Sequence, residues 1–158
     1  MVESEQSGSI RLKNAAKKTS RKIAVVCRAL ASEWQSARTI RNNLTSAYRH
    51  LGFRADVFEI SYDQRSVASV VSHLARQKYD LVVIPESMPV PVRLLYTLAQ
   101  MDGFRPELHF HLYGDFSLNT MEWNLVDRPL RQFRVRFYVA SNAQAGMVSE
   151  FMKKKSKV

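Results

Sequence analysis

The sequence predicts an α/β fold: a doubly wound, mostly parallel five-stranded sheet in the order 3-2-1-4-5, with helices on both faces. Three observations predict it. Short apolar segments alternate with segments whose apolar residues recur at helical spacing, the rhythm of βαβ units. Several apolar segments are continuous, as strands buried on both faces are. Several end abruptly in polar residues, and an open α/β sheet binds its ligands outside the carboxyl ends of its strands. Right-handed crossovers leave few other topologies.

Residues 1 to about 20 are polar, Ser/Lys-rich and aperiodic, which predicts a disordered basic arm over 1–21. The folded unit is expected over 22–152 and a basic tail over 153–158. The first strand is the apolar run KIAVVCR at 22–28. Ser32 and Gln35 have the spacing of a capping box. They open a helix through Trp34, Ala37, Ile40, Leu44, Ala47, Tyr48 and Leu51, closed by Gly52 as the residue after the cap. The second strand is RADVFEI at 54–60. Asp63 can cap the next helix, whose inner face is Val67, Val70, Val71, Leu74 and Ala75. A third strand, YDLVVI at 79–84, is closed by Pro85 and Glu86.

Pro91 suits the first turn of a third helix, running to about Met101 and ending at Gly103. The fourth strand is LHFHLY at 108–113. An irregular stretch is expected from Gly114 to about Trp123, then a short segment around 125–133 interrupted by Pro129. The fifth strand covers 135–140, and Ser141 with Gln144 opens a last helix through Met147, Val148, Phe151 and Met152. In this order the switch point lies between the first and fourth strands. The loops at 29–32 and 114–120 would flank it.

Composition bounds the function. The 158 residues suffice for one domain with one sizeable core. No apolar run is long enough to span a bilayer, and the first nine residues lack the apolar core of a secretory signal. Cys27 is the sole cysteine, so an internal disulfide and a thiolate metal cluster are excluded. These features fit a cytoplasmic protein. The net charge of +10 is concentrated at the ends. Arg11, Lys13, Lys17, Lys18, Arg21 and Lys22 oppose only Glu3 and Glu5, and Lys153, Lys154, Lys155 and Lys157 oppose no acid in the last eight residues. The middle of the chain is nearly neutral. The tails are read first as solvated segments and second as attracted to anionic lipid at the inner membrane face. Nucleic acid is the weakest reading.

The loop after the first strand holds no glycine, which argues against a dinucleotide fingerprint. A Gly-rich phosphate loop and a Gly-x-Ser-x-Gly elbow are also missing, and so are the acids and lysine of a phosphorylation receiver. Arg28 could meet an anion near a helix N-terminus; Arg28 and Glu33 could equally be solvated rim residues. His109, His111 and Tyr113 share one face of a strand. The histidines suit hydrogen bonding beneath a helix, a ligand-contacting or catalytic role for His111, or a metal site completed by Glu86 or Asp115. Gly114 permits close backbone approach after a central strand. Asp115 is either a base or hydroxyl acceptor at the switch point, or an Asx-turn residue.

The segments HFHLYGDF at 109–116, Trp123 and FYVASNAQ at 137–144 resemble the N-terminal domain of GT-B glycosyltransferases of the retaining, sugar-nucleotide-dependent type. The resemblance covers roughly 22–152 and departs from the family at Ala29-Leu30-Ala31, where a glycine-rich turn is usual. It implies an acceptor-binding domain. Transfer from a nucleotide-sugar to a glycan or glycolipid acceptor would then need a donor-binding C-terminal domain or subunit, expected beyond the Lys153–Lys155 run. It implies no cofactor besides the nucleotide-sugar co-substrate. Asp115 and His111 would lie near the reacting hydroxyl, with Arg28, Ser32, Glu33, Glu86, Tyr113, Gly114 and Phe116 lining the acceptor edge. The residues alone also allow a non-catalytic Rossmann-like module for a small anion or a protein partner.

Overall fold

The computed structural model describes residues 21–29, 35–61, 63–85, 90–113 and 116–155. Strands and helices alternate: β1 (Lys22–Arg28), α1 (Gln35–His50), β2 (Arg54–Ile60), α2 (Gln64–Arg76), β3 (Leu81–Ile84), α3 (Val90–Ala99) and β4 (Glu107–Leu112). A 3-10 turn (Phe116–Asn119) follows, then α4 (Thr120–Leu125), α5 (Asp127–Leu130), β5 (Val135–Val139) and α6 (Asn142–Lys155). Every strand pair is parallel. The α/β class, the five strands and the helices on both faces agree with expectation.

The strand order is β2-β1-β3-β4-β5. β3 therefore sits between β1 and β4, whereas the order 3-2-1-4-5 puts it outside β2. Burial explains the placement. All four residues of β3 are buried, as are the five interior residues of β1. Strands apolar on both faces need neighbours on both sides. The edge strands alternate instead: β2 carries Arg54, Asp56 and Glu59 among its apolar residues, and β5 exposes Arg136 and Tyr138. Charged edges resist pairing with other chains.

Register carries each face across the sheet. Leu81 pairs with Ile23 and Glu107, and Val83 pairs with Val25 and His109. These residues share the face covered by α1, where Ile23, Val25, Ala55, Leu81 and Val83 pack with Leu44, Tyr48 and Phe53. The other face is larger. Ala24, Val26, Val82, Ile84, Leu108 and Phe110 meet Val67, Val71 and Leu74 of α2, Leu94, Leu95 and Leu98 of α3, and Val148 and Phe151 of α6. Because α6 joins this second layer, no described helix covers β4 and β5 on the α1 side.

Local chemistry sets the helix ends. The Asp63 carboxylate accepts the Ser66 N–H at 2.8 Å, and the Ser141 hydroxyl accepts the Gln144 N–H at 3.3 Å. The proposed Ser32 cap lies outside the described residues. Gly52, at φ +85°, ends α1 in a Schellman turn. The Phe53 N–H reaches the Tyr48 carbonyl, and the Gly52 N–H reaches that of Arg49. Leu51, expected on the inner stripe of α1, is 71% exposed, because the helix ends before it.

The stretch expected to be irregular is mostly helical between Phe116 and Leu125. Its anchors are Phe116 and Trp123, whose rings stack 5.4 Å apart while Trp123 also meets Phe110 and Phe137 edge-on. Leu118, Met121 and Leu125 are exposed, so the segment lacks the polar outer face that marks a helix in sequence. At the other end, α6 continues through Lys155. The boundary expected at residue 152 thus falls inside a helix.

Candidate functional site

The half of the α1-side face formed by β4 and β5 carries the polar chemistry of the sheet. Strand alternation puts Glu107, His109, His111 and Tyr113 on it from β4, beside Arg136 and Tyr138 of β5, which pair with His109 and His111. Tyr48 reaches in from α1 and Arg21 from the start of β1.

These side chains form one connected network. The Glu107 carboxylate lies 2.7 Å from Arg136 Nε, 3.4 Å from an Arg21 guanidinium nitrogen and 3.1 Å from His109 Nε2. The Tyr48 hydroxyl lies 3.2 Å from His109 Nδ1 and 3.4 Å from His111 Nε2. Proton counting gives the network a direction. The carboxylate can only accept, so His109 Nε2–H donates to it and His109 Nδ1 keeps a lone pair. The Tyr48 O–H donates to that lone pair. The Tyr48 oxygen then accepts from His111 Nε2–H.

The electrostatics agree with this assignment. Burial pushes the His109 imidazole below the ordinary histidine range, against the opposing pull of Glu107. Burial, helped by His109, holds His111 at about 4, so both rings are neutral near pH 7. Burial alone would raise the Glu107 carboxyl. The His109 hydrogen bond and the Arg136 charge outweigh it and hold the group below the usual carboxylate range. Burial also pushes the Tyr48 hydroxyl up to about 12, so it stays protonated.

The aromatic rings form a row along this face. His111 stacks on Tyr138 with centroids 4.5 Å apart and planes 12° apart, and lies 6.5 Å from the Tyr113 ring at 22°. Tyr113 is 52% exposed and Tyr138 42%, at the carboxyl ends of their strands. The row joins two exposed tyrosines to a partly buried imidazole, beside the Tyr48 hydroxyl.

The structure joins only part of the expected site. His111 and Tyr113 are neighbours in the row. Arg28 ends β1 with the alternation of Ala24 and Val26, on the opposite face, and β3 separates its strand from β4. With this order the switch point lies between β1, followed by α1 on one face, and β3, followed by α3 on the other. It does not lie between the first and fourth strands. Phe116 is 3% exposed and packs on Trp123 and Phe151 in the core. Ser32, Glu33, Glu86, Gly114 and Asp115 lie outside the described residues.

Sequence reasoning missed Glu107, Tyr48, Arg136, Tyr138 and Arg21. Glu107 was within reach, since the alternation that pairs His109 with His111 extends back to it. Tyr48 reads as a core residue of an amphipathic helix, and its hydroxyl gives no periodic signal. Among the described residues, no group of three or more His, Cys, Asp or Glu side chains could hold a metal ion. No described helix is long and apolar enough to cross a membrane. A hollow of about 430 Å³ lies at the opposite, amino-terminal end of the sheet, lined by Lys78, Asp80, Asp102 and Arg105 among others. Its rim is built from turns and lacks the aromatic row. Compared with family models, curated proteins and solved structures, the chain matches none.

Proposed function

We propose that this domain binds the sugar acceptor of a GT-B-like glycosyl transfer, with a donor-binding domain supplied by another part of the protein or by a partner subunit. The observation that carries the reading is the aromatic row of Tyr113, His111 and Tyr138 at the carboxyl edge of a parallel sheet. The C–H face of a pyranose is apolar and packs on the electron-rich face of an aromatic ring. Its hydroxyls need polar partners at the ring edges, and the His111 and Tyr48 groups are close by. The fold class agrees with the resemblance in 109–116 and 137–144, and Tyr113 and Tyr138 stand near the carboxyl ends of their strands, while the switch point itself lies between β1 and β3.

In this reading His111 is the hydroxyl contact. Its Nε2–H is committed to Tyr48, which leaves Nδ1 as an acceptor for a sugar hydroxyl. The nucleotide-sugar enters from the donor-binding domain.

The test is a titration of the isotope-labelled protein with mono- and disaccharides, followed by amide and imidazole NMR shifts. The expected result is a saturable response at His111, Tyr113 and Tyr138 that is lost in Tyr138→Ala. A panel of sugars that leaves these three residues unmoved overturns the reading. Transfer assays with a cognate donor domain then ask whether the bound sugar is an acceptor.

A non-catalytic module for a small anion is the second reading. It is favoured by Arg21 and Arg136, two guanidinium groups that share the single Glu107 carboxylate. It predicts phosphate binding with no contribution from a sugar.

A further inference from the structure

We infer, on the reading that this face takes a sugar, that the sugar is phosphorylated and that Arg136, with Arg21 and Arg134, receives its phosphate. The argument begins with an imbalance of charge. Glu107 is the acid that β4 and β5 contribute to this face, and its side chain is 8% exposed. Arg136 and Arg21 both bond to it while their side chains remain 57% and 54% exposed. One carboxylate neutralises one guanidinium, so the trio keeps a positive charge at the surface. Arg134 adds to it. Its carbonyl accepts the Leu108 N–H, it is exposed, and it continues the alternation of Arg136 and Tyr138. The two neighbouring histidines are neutral and add nothing.

Geometry aligns this charge with the aromatic row. Arg136 precedes Tyr138 by two residues on the same face, a separation of about 7 Å along the strand. A sugar lying on Tyr138 can therefore direct a phosphate toward the amino-terminal half of the face. Glu107 holds the Arg136 head in place from below, which reduces the ordering cost of meeting an anion. A guanidinium matches the paired oxygens of a phosphate, and charge-assisted hydrogen bonds of this kind are the strong ones.

The experiment compares glucose, glucose 1-phosphate, glucuronate and inorganic phosphate by calorimetry and NMR. The proteins are the full chain, Arg136→Gln, Arg136→Lys and, as a control on α3, Arg93→Gln. Glucose 1-phosphate should bind at least roughly tenfold tighter than glucose, an advantage that falls with added salt. Arg136→Gln should abolish the advantage, Arg136→Lys should keep part of it, and Arg93→Gln should leave it unchanged. Circular dichroism of each variant verifies folding. A free sugar phosphate presents a monoester and a lipid-linked one a diester, and both offer anionic oxygens to a guanidinium. Flotation with phosphatidylcholine vesicles carrying polyprenyl-phosphoglucose separates them, and capture above plain vesicles assigns the lipid-linked source.

Equal binding of glucose and glucose 1-phosphate overturns the phosphate assignment and leaves the sugar reading standing. Preference for glucuronate over glucose 1-phosphate also overturns it. Inorganic phosphate binding at Arg136 with no response to any sugar removes the sugar reading instead.

Discussion

The Tyr138 ring lies flat on the His111 imidazole, 4.5 Å away and tilted by 12°. The two residues pair across β4 and β5, so their contact follows directly from strand register. The stack shields the imidazole on one side while the Tyr48 hydroxyl engages its Nε2. A histidine held in this way stays neutral and keeps one orientation, and that gives the face a fixed hydrogen-bonding pattern.

Stability should fall on acidification through the His111 window. Its folded value, about 4, lies below that of an unfolded histidine, near 6.5. The unfolded chain therefore takes up a proton first as pH falls. The stabilisation is complete above pH about 6.5 and is lost on the way down to about 4, on the order of 2 kcal/mol. Denaturant unfolding at a series of pH values measures it, and His111→Phe should flatten the slope. A wild-type curve already flat between these limits contradicts the burial argument.

Tyr48→Phe removes the hydroxyl that serves both imidazoles. It should cost about 1–3 kcal/mol, with the denaturant midpoint lowered and the slope unchanged. The His109 and His111 ring-nitrogen shifts should both move. A loss confined to one ring would break the proposed chain of donors and acceptors.

Phe116→Ala should behave as a core truncation and cost about 3–5 kcal/mol. Leu118→Ala, two residues on and 79% exposed, should change stability by less than about 0.5 kcal/mol. Equal effects would show that Phe116 is not the anchor of this segment.

Lys78 ends α2 at φ +53°, a left-handed backbone that disfavours side chains. Its N–H bonds to the Ala75 carbonyl, and the Tyr79 N–H bonds to that of Leu74, the arrangement Gly52 adopts after α1. Lys78→Gly should raise stability by roughly 0.5–1 kcal/mol, since relief of strain exceeds the added chain entropy. Arg65→Gly, inside α2, should lower it by about 1 kcal/mol. Thermal unfolding of the two variants in opposite directions is the expected outcome.

Much of the site was hidden in the sequence for one physical reason. His109, His111 and Tyr113 declare a common face by alternation alone. Their partners come from elsewhere: Tyr48 lies sixty-one residues before His109, and Arg136 lies twenty-nine after Glu107. Nothing in local periodicity records which strand becomes a neighbour or which helix reaches across. Arg28 illustrates the converse, a residue at a strand end that register turns to the other face.

The sequence by itself determined the α/β class, the five strands, the Asp63 and Ser141 caps and the glycine after α1. Each rests on interactions within a few residues, where spacing is sufficient. Tertiary structure decided the strand order, the burial of Phe116 and the placement of α6 on the crowded layer. The hydropathy of β3 did hold a clue to the order, since four consecutive apolar residues require a central position. The polar face of β4 and β5 held none, because it depends on where α6 packs. That packing is set by Val148 and Phe151 meeting a core assembled from every other element.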